Sequence, residues 1–416
     1  MNIRALKINK FAYALLFGIL LIYVFFWDAR LVNSRYVFAA ILVLAVLVLA
    51  IRRSFIFSSS ACVYLVIVFI TAMGAIGQSQ EYAVRLILQM LVCCVAFLAF
   101  HGFQLSSRVV LVAFALLSLF YTGGVFLQLV APALVFRINS VLLTPDAFFS
   151  YQQLESYRYY TGFSGFNFMT AFFSAILLGI YLYRWFNTPT RHTGRRVVYA
   201  LLVLVAFFAT VIAQKRGVFV ACAVAVLVSL FVMFNQKNNL KRFFSIGAGL
   251  LIFGLGVYLL LLNSESGVQF LRRFSESDDV SNGRFEIMQM VFNEIGNSFI
   301  FGKGTGASQE LIHMGTHNIY LQVFFDHGAV GVFIYLTWFV INLKNVLRAL
   351  RRVPADDAQR AVLFLSFFVQ LLFLVYGFFG NPINDIFIFL LYVFFAAMPY
   401  AIGRQCILQK SIEQRG

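Results

Sequence analysis

Residues able to take a proton, hold an anion or grip a metal are scarce in this chain, and they gather in a few short stretches. The densest is Gln214-Lys215-Arg216-Gly217, two cations beside a glycine at the head of an apolar run. Cations fixed at such a boundary suit an anionic group, and arginine suits phosphate best because it stays charged and grips two oxygens at once. The plainer alternative is that both side chains snorkel to lipid headgroups. Of the five histidines, His101, His192, His313, His317 and His327, the last three fall close together. Imidazole, with an unperturbed pKa of about 6.5, can serve as a base, or simply as a hydrogen-bonded structural group. Asp278-Asp279 could hold a divalent cation between phosphates, but no third ligand stands nearby, and a solvated loop tip accounts for the pair equally well. Gly302-Lys303-Gly304-Thr305-Gly306 is glycine-rich like a phosphate loop without the GxxxxGK[ST] spacing. It reads as a flexible turn whose N–H groups could still approach a phosphate or sugar. The five cysteines show no CxxC spacing and four lie in or beside apolar segments, so neither a disulfide framework nor a metal cluster is expected.

The elements that must position these residues are membrane helices. Of the 416 residues, 62% are hydrophobic and only 12% charged, which excludes ordinary soluble packing. Apolar segments long enough to cross a bilayer recur at 11–27, 36–51, 61–77, 84–100, 109–131, 162–185, 197–213, 218–234, 244–262, 328–345, 362–380 and 386–402, predicting an all-α polytopic membrane protein of about 12 spans. The first follows Arg4, Lys7 and Lys10 as a signal peptide would, yet no small-residue cleavage site follows Trp27, so it is expected to be retained. With both termini inside, about two-thirds of the 32 Lys and Arg residues fall on the cytoplasmic side, against only Asp356, Asp357 and Glu413 of the acids. The net charge of +16 therefore orients the chain and meets anionic membrane lipids; it is no sign of nucleic acid.

This topology divides the chain into helices 1–5 (1–131), an outward loop (132–161), helices 6–9 (162–262), a large outward loop (263–327), and helices 10–12 with a cytoplasmic tail (328–416). Within the large loop, 281–299 reads as an amphipathic helix with Phe285, Met288, Phe292 and Ile295 on one face. Lying at the membrane surface, it would present Arg284 near its N-terminus, where backbone N–H groups also favour anions; a solvated surface arginine fits the same pattern.

Thr316-His317-Asn318-Ile319-Tyr320-Leu321, followed by Gly328 and Gly331, resembles the signature of the O-antigen ligase and polymerase family, an HN pair, nine residues, then GxxG. Three further stretches resemble the family in order and on the expected side. Arg158 with Gly162 and Asn167 is similar to its Arg, Gly and Asn stretch, Lys215-Arg216-Gly217 to its outward SRG turn, and Asn282-Gly283-Arg284 to the SGR that opens its loop helix. Lys215 departs from the serine of that turn, and Gly165-Phe166-Asn167 is all that remains of an Asn-Pro-Asn. The resemblance implies a GT-C-like membrane fold and a metal-independent, inverting glycosyltransferase with no cofactor. Its donor would be an undecaprenyl-diphosphate-linked glycan and its acceptor a hydroxyl of lipid A core or of another lipid-linked glycan, at the periplasmic face of the inner membrane. Arg158, Arg216 and Arg284 would then hold the diphosphate with Lys215, and His317 would take the acceptor's proton, or alternatively bind phosphate. Asn318, Tyr320 and Asn167 would orient substrate.

Within that resemblance, the HN-x9-GxxG pattern leans toward a ligase, with an O-antigen or exopolysaccharide polymerase as the alternative. A transporter or lipid flippase would also suit twelve spans, but such proteins carry ionisable or broken midplane positions, whereas here the span centres are nearly charge-free and no internal repeat is evident. A non-catalytic assembly subunit would need none of the four motifs.

Overall fold

The computed structural model describes residues 3–52, 57–76, 80–157, 159–236, 284–312, 316–352 and 356–413. The helices are α1 (Ile3–Phe26), α2 (Ser34–Arg52), α3 (Ser59–Gly74), α4 (Gln80–Phe100), α5 (Ser107–Val130), α6 (Pro132–Leu142), α7 (Pro145–Ser156), α8 (Asn167–Asn187), α9 (Thr193–Ile212), α10 (Arg216–Gln236), α11 (Arg284–Ile295), α12 (Ala307–Ile312), α13 (Ile319–Arg352), α14 (Asp357–Tyr376) and α15 (Ile386–Glu413). No strand occurs among the described residues; a single bridge pairs Ala29 with Leu143. Nine of these helices are long and apolar enough to cross a membrane, and Lys10–Phe26 and Ser59–Gly74 are shorter apolar helices. The expected span at 244–262 lies outside the described residues. The chain is an all-α polytopic membrane protein.

Helices α8, α14 and α15 are buried along most of their length, while α2 and α9 expose large apolar side chains to the surroundings. That arrangement is unfavourable in water and expected in lipid, where helices satisfy their own backbone groups. Small polar side chains tie the interior together: Ser60 donates to Asn342 (2.6 Å), and Thr122 and Ser174 share a hydrogen bond (3.0 Å). Each such contact is worth on the order of 1 kcal/mol in a membrane.

Contacts between helix ends sort the chain into two poles. One gathers Asp28 with Ser164, Gly74 with Thr305, Lys215 with Phe168, and Gln322 with Asn384. The other gathers Ser58 with His101, Arg184 with Asp357, and Gln405 with Phe103. Every described motif of chemical interest lies at the first pole.

Three expectations change. Residues 132–156 are not an open loop but two short helices, each with proline in its first turn, where its missing N–H costs nothing; Thr144 caps the second. The buried stripe of α11 is Ile287, Val291 and Ile295, whereas Phe285, Met288 and Phe292 are exposed. Finally, helix α13 begins at Ile319, ahead of the expected 328, and is split at Gly328 (φ 64°). A continuous helix would bond Ala329 N–H to Phe325 O and Val330 N–H to Asp326 O. Instead Ala329 and Val330 donate to Phe299 O and Ile300 O (2.9 and 3.1 Å), while Phe325 O and Asp326 O accept from Lys303 and Gly304 N–H (2.8 and 2.9 Å). Segment 299–304 is thus inserted into the break, and both halves of each lost helical bond are replaced. The glycine turn at 302–306 is part of this insert, so it is held rather than flexible. A Cβ at Gly328 would collide with Ile300 O, which explains a glycine there beyond its φ.

Candidate active site

The turn between α9 and α10 reverses direction through Gln214, whose φ of 55° lies in the left-handed region. Lys215 then receives Val218 and Phe219 N–H on its carbonyl (3.0 and 3.1 Å), and Arg216 opens α10. Two cations therefore stand at a helix N-terminus, the end that already carries partial positive charge. Lys215 Nζ lies 5.9 Å from the centroid of the Phe168 ring, a cation–π distance. Asn167 precedes that ring at the start of α8, buried among the same helix ends.

At the head of α13, His317 is exposed with φ 48°. Among the described residues, Gln214 and His317 are the non-glycine residues with positive φ. Such conformations cost on the order of 1 kcal/mol and concentrate where a site fixes a side chain. Asn318 Oδ1 accepts from Tyr320 and Leu321 N–H (2.9 and 3.1 Å), capping the helix, and Thr316 Oγ1 donates to Asn318 O (2.9 Å). Tyr320 donates its hydroxyl to Leu374 O (2.7 Å) and its ring packs on Phe378. Asn318 and Tyr320 are thus engaged in holding the turn that presents His317.

Both turns rest on the same segment, the connection between α14 and α15. Ile319 N–H donates to Gly377 O (2.9 Å), and Asn318 Nδ2 reaches Phe378 O (3.5 Å). From the other side, Gly217 approaches Phe379 so closely that an added Cβ would lie 2.5 Å from the Phe379 Cβ. Residues 377–379 therefore bring the Lys215-Arg216 turn and the His317-Asn318 turn to one rim.

That connection carries groups sequence reasoning passed over. Asn381 donates to Thr316 Oγ1 (3.4 Å), and Asn384 and Gln322 exchange hydrogen bonds. Asp385, at the head of α15, is held at a pKa of about 7 by burial, while Lys215 pulls it back toward the ionised form. Its ionised form offsets the cationic turn. The available signal was the polar run Asn381-Pro382-Ile383-Asn384-Asp385 between two apolar spans.

Asp28 plays a parallel structural part at the same pole. Its carboxylate accepts from Ser164 Oγ (3.1 Å) and Gly165 N–H (2.9 Å), fixing the loop that leads into Asn167. Burial raises its pKa to about 6, against the pull of those two donors. Arg158, Asp278, Asp279 and His313, like the side chain of Arg284, lie outside the described residues. The backbone of Arg284 opens α11. His327 does not join His317: it is buried, stacks on Tyr335 (6.3 Å, 12°), and lines an internal cavity with Thr71, Gln322 and Asp326.

A family model described as O-antigen ligase matches residues 201–336, about a third of the chain, including both turns and the split in α13. No curated protein matches the chain.

Proposed function

We propose, from the premise that the chain belongs through residues 201–336 to the O-antigen ligase family, that it is an inner-membrane glycosyltransferase. Its reaction moves an undecaprenyl-diphosphate-linked glycan to an acceptor hydroxyl at the periplasmic face. The family match and the apolar helices support a multi-pass membrane protein with a ligase- or polymerase-type function in O-antigen pathways.

The observation that carries the finer reading is the cationic turn at the N-terminus of α10, held against the His317 turn by residues 377–379. Lys215, Arg216 and the helix end concentrate positive charge at the edge of an apolar bundle, and Asp385 is a partial counterweight. A lipid diphosphate binds at that edge while its tail stays in hydrocarbon. In the transfer, the acceptor oxygen attacks the anomeric carbon from the face opposite the diphosphate. The bond from that carbon to the diphosphate oxygen breaks, the configuration inverts, and the hydroxyl proton passes to the His317 imidazole. Charge grows on the leaving diphosphate as the bond breaks, so Arg216 stabilises the transition state more than the bound donor. General-base help from His317 adds about 10² to 10⁴-fold. Arg158 and Arg284 join Arg216 on the diphosphate, Asn167 orients the donor, and Asn318 and Tyr320 act by fixing His317. No metal is required in this route because guanidinium and ammonium groups meet the charge.

The acceptor assigned is lipid A core, which makes the protein a ligase; joining of lipid-linked repeats is the second reading. Lipopolysaccharide from cells lacking the protein tells them apart. Loss of a ligase leaves full-length lipid-linked polymer unattached to core, whereas loss of a polymerase leaves core capped with single repeats.

A further inference from the structure

Segment 299–304 is irregular backbone lodged in the split of a membrane helix, and it is bonded to both sides of the break. Phe299 O and Ile300 O accept from α13, Lys303 and Gly304 N–H donate to α13, and Gly302 N–H donates to Ser298 O (2.7 Å). Backbone of this kind is tolerated at membrane depth only when protein saturates it. Its side chains point the other way. Phe299, Ile300 and Phe301 are 54%, 57% and 77% exposed, three consecutive large apolar residues outside the packed core. Ile300 O is bonded to the N–H of Val330 of α13, itself 38% exposed, and Phe333 one turn further along that helix, long and apolar enough to span the membrane, is 73% exposed. Phe299 and Phe292 both lean on Phe324 (5.3 and 6.0 Å between centroids), so the exposed face of α11, with Met288, continues the same surface. Beneath it, Ile287, Val291 and Ile295 close a separate small core with Phe325.

We propose that Met288, Phe292 and residues 299–301 form an interfacial anchor immersed in the acyl chains of the outer leaflet, continuous with the lipid-facing flank of α13. The occupant of this face is lipid hydrocarbon. The argument is continuity with that flank together with the backbone bonds that fix 299–304 to α13, and it is independent of the transfer chemistry. The anchor sets α11 flat at the leaflet surface, with its apolar faces shared between protein below and lipid beside.

Spin labelling tests this directly. Among the described cysteines Cys62 is exposed and Cys93, Cys94, Cys222 and Cys406 are buried, so a Cys62→Ser background accepts a nitroxide at Phe301→Cys. Phe333→Cys provides the lipid reference and Gln153→Cys, exposed on α7, the aqueous one. In lipid vesicles, the ratio of collision with oxygen to collision with a water-soluble nickel chelate at position 301 should match that at 333 and exceed that at 153 several-fold. Met288→Cys gives the same reading from α11 should the 301 variant fail to fold. A ratio like that at 153 overturns the proposal in favour of an aqueous face. Shielding from both reagents with dipolar broadening between labels overturns it in favour of a second copy of the chain. Neither outcome depends on whether the protein transfers glycan.

Discussion

Substituting Gly217 with alanine separates the two turns of the site without touching a charged residue. An added Cβ would stand 2.5 Å from the Phe379 Cβ and 3.2 Å from its Cγ, where carbon atoms settle at about 3.5–4.0 Å. The head of α10 and the 377–379 segment must therefore part by about 1 Å. Overpacking of this kind costs ~1–3 kcal/mol, and alanine returns up to ~1 kcal/mol through helix propensity, so the net loss of stability is at most about 3 kcal/mol. Activity should suffer more, because a misplacement of about 1 Å between reacting groups can cost ~10²-fold. The measurement is transfer from a lipid-linked donor by purified Gly217→Ala in vesicles, beside a thermal unfolding curve of the same preparation. The expected result is a fall in kcat of about 10²-fold in a protein that remains folded. Full activity with an unchanged unfolding curve would refute the claim that the two turns must be held together across residues 377–379.

Gly328→Ala meets both a left-handed φ and the Ile300 carbonyl, so it should lower stability by about 3 kcal/mol or more, combining backbone strain with overpacking; detergent-solubilised thermal unfolding checks it. Asp385 has a folded-state pKa of about 7 against an ordinary value of 3.8, so the fold holds its protonated form, a contribution fully present below about pH 4 and lost as pH rises through 7. Asp385→Asn should therefore gain stability relative to wild type across that window. Ionised Asp385 opposes the cationic turn, so the fall in activity that its ionisation near pH 7 gives the wild type should be absent from Asp385→Asn, and a pH–rate profile of both proteins reads this.

Much of the architecture was legible because lipid imposes a simple rule, long apolar runs separated by short polar breaks. The HN and Lys-Arg-Gly stretches were legible because charge and histidine are conspicuous at the ends of such runs. The split in α13 was not, since apolar periodicity continues across Gly328 and the bonds that close the break come from 299–304. The apolar residues of α11 divide between two surfaces that look alike in sequence: the buried Ile287, Val291 and Ile295 are no more apolar than the exposed Phe285, Met288 and Phe292. The short helices at 132–156 had readable starts in Pro132 and in Thr144-Pro145, masked by the expectation of a loop. The 377–385 connection was passed over because its role is backbone contact, Gly377 O to Ile319 and Phe378 O to Asn318, which no side-chain pattern announces. Asp385 was hidden for a related reason, since only the folded chain sets it beside Lys215.

The central claim is that guanidinium at position 216 and imidazole at position 317 act on one lipid diphosphate and its acceptor. Purified protein in vesicles with an undecaprenyl-diphosphate-linked glycan and a lipid A core acceptor, in the presence of EDTA, tests it most directly against Arg216→Ala and His317→Ala. Transfer by the wild type in EDTA, with each variant slowed by at least ~10²-fold while still folded, is the predicted result; undiminished transfer by both variants would contradict it.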